Sequence, residues 1–202
     1  MVNVVHKNGG SYWQMTVTNI QYPEMFLNLA NEIGETRTML SRKYYKKGTE
    51  KYRGENENKI SSLGILGELI ARHYLTENNM PFKAAPLIAL KPIAEPDIYL
   101  LTDKNGVDVK SLEYYTKELY VNKDAHNNAD KRPDYYWFIK IDKYNCNANF
   151  YFVDSDDVNG WNIEPKRYTD VYCKSIEGVE IHQGIPEVLQ YQEWMKIRQD
   201  EI

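Results

Sequence analysis

Cysteine is scarce in this chain. Its 202 residues include only Cys146 and Cys173, and neither has a close cysteine or histidine partner at zinc-ligand spacing, so a disulfide framework is not what holds the fold. Long apolar runs are also missing. No stretch approaches the length a membrane span needs, and Met1 to Trp13 lacks the basic segment and apolar run of a signal peptide; a soluble cytoplasmic protein is expected. Positive charge is not in excess, with 25 Lys and Arg against 29 Asp and Glu and a net charge of -4. That balance argues against a wholesale nucleic-acid coat while leaving room for a local basic face. Repeats and low-complexity linkers are absent too. At this length and 42% hydrophobic content, the chain suits one domain with a full core.

The patterns that are present change near residue 60. Met25, Leu29, Ile33, Met39 and Leu40 recur at roughly helical spacing after Pro23, a residue suited to a helix start. Lys46 to Asn58 is polar, carries Gly48 and Gly54, and reads as a loop. Ser61 or Ser62 is expected to cap a second helix running to about Asn78, with Leu63, Leu66, Ile70 and Tyr74 on one apolar stripe. Gly64 and Gly67 lie beside that stripe. Two glycines weaken a helix, so their presence predicts close approach to another backbone. Strands are expected at Glu118 to Asn122, Asp134 to Ile141, Phe150 to Val153 and Val171 to Cys173, and an amphipathic helix at Pro186 to Asp200. The order predicts a mixed α/β or α+β domain with a central mixed sheet flanked by helices.

Between the second helix and these strands, residues 95 to 110 read E-P-D-I-Y-L-L-T-D-K-N-G-V-D-V-K. The Asn105-Gly106 pair predicts a tight hairpin turn, with Asp97 opening one strand and Asp108 inside the next. Two carboxylates brought together on one face repel unless a cation lies between them. In an extended strand Asp108 and Lys110 share a face while Val109 goes into the core. Glu68, Asp97 and Asp108 are hard oxygen donors suited to Mg²⁺, with Mn²⁺ as substitute. A lysine beside a metal-bound water can orient it and offset developing charge. Phosphodiester hydrolysis follows from that set.

These residues resemble the PD-(D/E)XK nucleases. Gly64-Ile65-Leu66-Gly67-Glu68 is similar to that family's helical element, Pro96-Asp97 to its second element, and Asp108-Val109-Lys110 to its acid-x-Lys triplet, over about Ile60 to Ile141. The resemblance implies a restriction-endonuclease-like catalytic core at 59–142, with a helical N-terminal extension at 1–58 and C-terminal strands and a helix at 143–202. It also implies Mg²⁺-dependent cleavage of nucleic acid, DNA foremost, with Glu68, Asp97 and Asp108 as metal ligands, the Val109 carbonyl as a further one, and Lys110 handling the attacking water. Polar residues after the third strand of such proteins often touch substrate, which singles out Asn122, Lys123 and His126, although a lone histidine is more often structural.

Other readings compete. Asp97 suits a strand opening after proline, Asp108 an edge-strand charge with Lys110 as its same-face partner, and Glu68 a solvated partner of Arg72 one turn on. Arg37, Arg42, Lys43, Lys46, Lys47, Lys51 and Arg53, interleaved with Tyr44, Tyr45 and Tyr52, suit a phosphate backbone or an ordinary solvated helix face equally well. Pro133-Asp134 is followed by Lys140-Ile141-Asp142, the reverse order of acid and lysine, and is read as a strand opening. A nucleic-acid- or protein-binding module without turnover is the alternative function, and homodimerisation is left open.

Overall fold

Pro23 leads into α1 (Met25–Tyr44), its carbonyl accepting the Phe26 N–H at 3.0 Å. Phe26, Leu27, Ala30 and Ile33 make the inward face, whereas Met25 and Met39 stand exposed, so the apolar stripe is rotated from the one the spacing suggested. The computed structural model describes residues 19–44, 56–89, 95–100, 105–166 and 169–178. α1 packs on α2 (Glu57–Glu77) at Gly34, where a Cβ would lie 2.5 Å from the Ser62 hydroxyl oxygen. α2 begins a turn before the expected serine cap. Its first turn is held instead by the helix pairing: Glu57 is buried and meets Arg42 of α1 at 3.3 Å, while Thr38 donates to the Ser61 hydroxyl at 3.0 Å.

α2 lays Ile65, Leu66, Ile70, Ala71, Tyr74 and Leu75 against a sheet. Among the described residues nine strands form two sheets. The larger runs β1 (Ile20–Gln21), β7 (Asn147–Asp154), β6 (Tyr135–Asp142), β4 (Asn105–Glu113), β3 (Ile98–Leu100) and β2 (Phe82–Ala84), and only its β4–β6 pairing is parallel. The smaller runs β5 (Glu118–Asn122), β9 (Asp170–Ser175) and β8 (Asn162–Pro165). The class is therefore mixed α/β, a six-stranded mixed sheet flanked by helices. β6 is buried on both faces: Trp137, Ile139 and Ile141 meet the helices, and Tyr136 and Phe138 meet Leu119, Val121 and Tyr172 of the smaller sheet. That double burial explains an almost unbroken apolar run.

Two local expectations need correction. Asn105 and Gly106 are not the hairpin turn; they open β4, paired with Leu100 and Tyr99, and the connection at 101–104 lies outside the described residues. Gly106 is required there because a Cβ would sit 2.5 Å from the Pro96 ring. Of the two α2 glycines, only Gly67 makes the expected close approach, with a Cβ position 3.1 Å from Ser111 Cβ of β4, whereas a Cβ on Gly64 would meet nothing within 4 Å. The short strands β1, β2 and β8 have no alternation long enough to read. The helix expected at Pro186 to Asp200 falls outside the described residues. Among those residues no helix is long and apolar enough to cross a membrane.

Candidate metal centre

The ladder between β3 and β4 ends at Ile98 opposite Val107, and one step further in that register Asp97 faces Asp108. There the backbone pairing gives way to a side chain: Asp97 Oδ2 accepts the Val109 N–H at 2.8 Å. Burial pushes the Asp97 carboxyl far above the usual carboxylate range, and the charges of Asp108 and then Glu68 push it further. β4 lies between β6 and β3, so Asp108 is not an edge-strand charge. Val107 and Val109 point into the core beneath α2, which by alternation puts Asp108 and Lys110 on the opposite face with Tyr136 and Phe138. Lys110 Nζ meets Asp108 Oδ2 at 2.6 Å, with the two side chains 35% and 31% exposed, and lies 5.9 Å from the centre of the Tyr136 ring. The pair is open to solvent although its strand is central.

Glu68 approaches Asp97 from the α2 side. It is buried rather than solvated, and its two oxygens are taken by Arg37 of α1 at 2.8 Å and Arg72 one helical turn on at 3.4 Å. Arg72 also donates to the Ala85 carbonyl at 2.6 Å, and the Ala85 N–H donates to the Asp97 carbonyl at 2.9 Å. Residue 85 thus ties α2 to the opening of β3. Asp97 stands between the two halves, sensing Glu68 on one side and Asp108 on the other. Asp97 and Asp108 fit a divalent cation, because two facing carboxylates, one of them half-buried, keep their shared contact only with a proton between them, and a cation could take that proton's place. Glu68 does not offer a vacant oxygen in this arrangement.

The remaining candidates divide. Arg37 and Arg42 serve buried acids of α2, and Lys46, Lys47 and Arg53 lie outside the described residues. Asn122 caps α3 (Lys123–His126), accepting the Ala125 N–H at 2.8 Å, and Lys123 pairs with Asp170 at 3.3 Å. His126, singled out for substrate contact, is instead buried, bonded to the Tyr136 hydroxyl at 3.0 Å and Asn159 Oδ1 at 3.1 Å. Burial lowers its pKa and favours the neutral ring. Asp134 accepts the Gly106 N–H at 2.7 Å and pins the start of β6 to β4, consistent with a strand-opening role.

Sequence reading missed a second group. Glu118, Glu164 and Cys173 bring their ligand-type atoms within 4.8 Å of one another among the described residues. Lys166 meets Glu164 at 2.8 Å and lies 4.7 Å from the centre of the Tyr120 ring, and Tyr120 donates to Glu118. Strand pairing across the smaller sheet assembles this group from residues far apart, and no spacing in the sequence announces it. Comparisons with protein-family models, with characterised proteins and with solved structures found no match to the chain.

Proposed function

We propose that this protein is a divalent-metal-dependent nuclease that hydrolyses phosphodiester bonds of nucleic acid, DNA foremost, in the cytoplasm. The observation that carries the reading is the facing pair Asp97 and Asp108 with Lys110 two residues beyond on the solvent-open face of β4. Asp97 and Asp108 would hold Mg²⁺ or Mn²⁺, which when bound supplies an acidified water and positive charge for the scissile phosphate. Lys110 reaches Asp108 and lies on the same face, so its ammonium is placed to orient a water and offset charge that develops on the phosphate. The Val109 N–H fixes one Asp97 oxygen. Glu68, engaged by Arg37 and Arg72, contributes its charge to the centre from the α2 side.

A second reading has one observation in its favour. Glu68 and Asp108 already have cationic side chains against them, as expected of a binding module that keeps the fold without turnover. Incubation of labelled duplex, single-stranded DNA and RNA with Mg²⁺, with Mn²⁺ and with excess chelator decides between them. The nuclease reading expects metal-dependent cleavage that Asp108→Ala removes. Cleavage undiminished in chelator, or none on any substrate, overturns it.

A further inference from the structure

Two guanidinium groups share one carboxylate at Glu68, so this contact holds a surplus of one positive charge. The two arginines are not equivalent. Arg72 is 20% exposed and has a second anchor in the Ala85 carbonyl at 2.6 Å, whereas Arg37 is 42% exposed and reaches Glu68 across the contact between α1 and α2. A phosphodiester presents oxygens to a guanidinium much as a carboxylate does, and Arg binds both through the same planar fork. If Arg37 turned away, Arg72 would still neutralise Glu68, so the exchange would not strand an unpaired buried charge. Glu68 lies close enough to act on the charge state of Asp97, which puts Arg37 on the α2 side of the candidate centre.

We propose that Glu68 occupies, in the free protein, the place of a nucleic-acid phosphate on Arg37: Arg37 is a backbone-phosphate contact masked by an internal carboxylate. The inference rests on the nucleic-acid reading given above, but it does not depend on turnover. The internal anion competes with the external one, so weakening it strengthens binding. Substrate binding and the release of Glu68 toward Asp97 and Asp108 are thereby linked, since each phosphate that takes Arg37 frees one carboxylate oxygen beside the centre.

The test is fluorescence anisotropy with a short labelled DNA duplex in excess chelator, across a salt series, on the full chain. Glu68→Gln keeps the shape of the side chain and removes the competing charge; it should bind the duplex about twofold to fivefold tighter than wild type, the scale of a partly exposed ion pair. Arg37→Ala should bind several-fold more weakly and lower the slope of log affinity against log salt by about one contact. The double variant should show no gain over Arg37→Ala. A folded Glu68→Gln that binds no tighter overturns the proposal, as does an Arg37→Ala with unchanged affinity and salt slope. Should Glu68→Gln fail to fold, the salt slope of Arg37→Ala decides alone. Cleavage with Mg²⁺ is scored separately: a protein that shows these binding changes and never cuts defeats the nuclease reading and leaves the masked arginine standing.

Discussion

The two acid groups on opposite sheets differ in how their charge is settled. At Glu118, Glu164 and Cys173 the donor atoms are the more tightly clustered, yet Lys166 holds the Glu164 carboxyl below the usual range, Tyr120 donates to Glu118, and the Cys173 thiol is pushed up to about 11, chiefly by burial. At Asp97 and Asp108 the acids are bracketed rather than clustered, and burial with two like charges drives Asp97 upward. The charges of the first group are met by neighbouring side chains of the smaller sheet, whereas Asp97 is held toward its protonated form beside Asp108, a state that a bound cation would displace.

The largest expected effect separates the two groups directly. Asp108→Ala should lower single-turnover cleavage by about a thousandfold, while Glu164→Gln, on the solvated smaller sheet, should stay within about twofold of wild type. Comparable losses in both would break the contrast. Lys110→Ala should cost about a hundredfold in rate, the scale of a positioned acid–base group, with Mg²⁺ affinity by calorimetry largely intact. Lys110→Arg should not rescue it, since the guanidinium is a wider fork that stays charged. A Lys110→Ala variant of near-normal rate reduces this lysine to the surface partner of Asp108.

Stability experiments sharpen the same comparison. Gly67→Ala should destabilise by about 1–3 kcal/mol through overpacking against Ser111, read as a fall in denaturation midpoint. The folded state raises the Asp97 pKa from the ordinary 3.8 to about 8, so it favours the protonated carboxyl. Its contribution is complete below about pH 4 and is lost as pH rises through about 8. In chelator, Asp97→Asn should therefore gain in melting temperature over wild type as pH climbs from 4 to 9, and Mg²⁺ should narrow the gap by stabilising the charged wild-type pair. A difference that is flat across that range would mean that folding does not raise the Asp97 pKa. The smallest effect belongs to Gly64→Ala, where open space predicts a gain of about 0.5–1 kcal/mol from helix propensity alone.

Much of the six-stranded sheet was legible in advance because its signals are local. The dense aromatic run at Tyr135 to Ile139 marked β6 of that sheet, and strand-favouring residues marked β5 of the smaller one. Short strands such as β1 and β8 carry too few residues to show a period. They exist because a neighbouring strand offers them a ladder.

The sequence by itself placed Asp97 and Asp108 on the two strands of one hairpin, but the turn expected at Asn105-Gly106 implied another register, and the pairing that sets Asp97 beside Asp108 was decided by the folded ladder. It also determined that Asp108 and Lys110 would share a face, as the pleat demands. Only the tertiary structure decided what each side chain would meet. Gly67 and Gly64 are one turn apart on the same helix, yet only Gly67 has a strand pressed against it. His126 was open to a substrate-contacting or a structural role and became a buried partner of Tyr136 when the smaller sheet closed over β6. Glu68 was placed on its helix by sequence, but two arginines, one of them 31 positions away, determined that it is masked. The physical reason is common to all three. Periodicity states which way a side chain points, and only packing between elements distant along the chain states what it finds there.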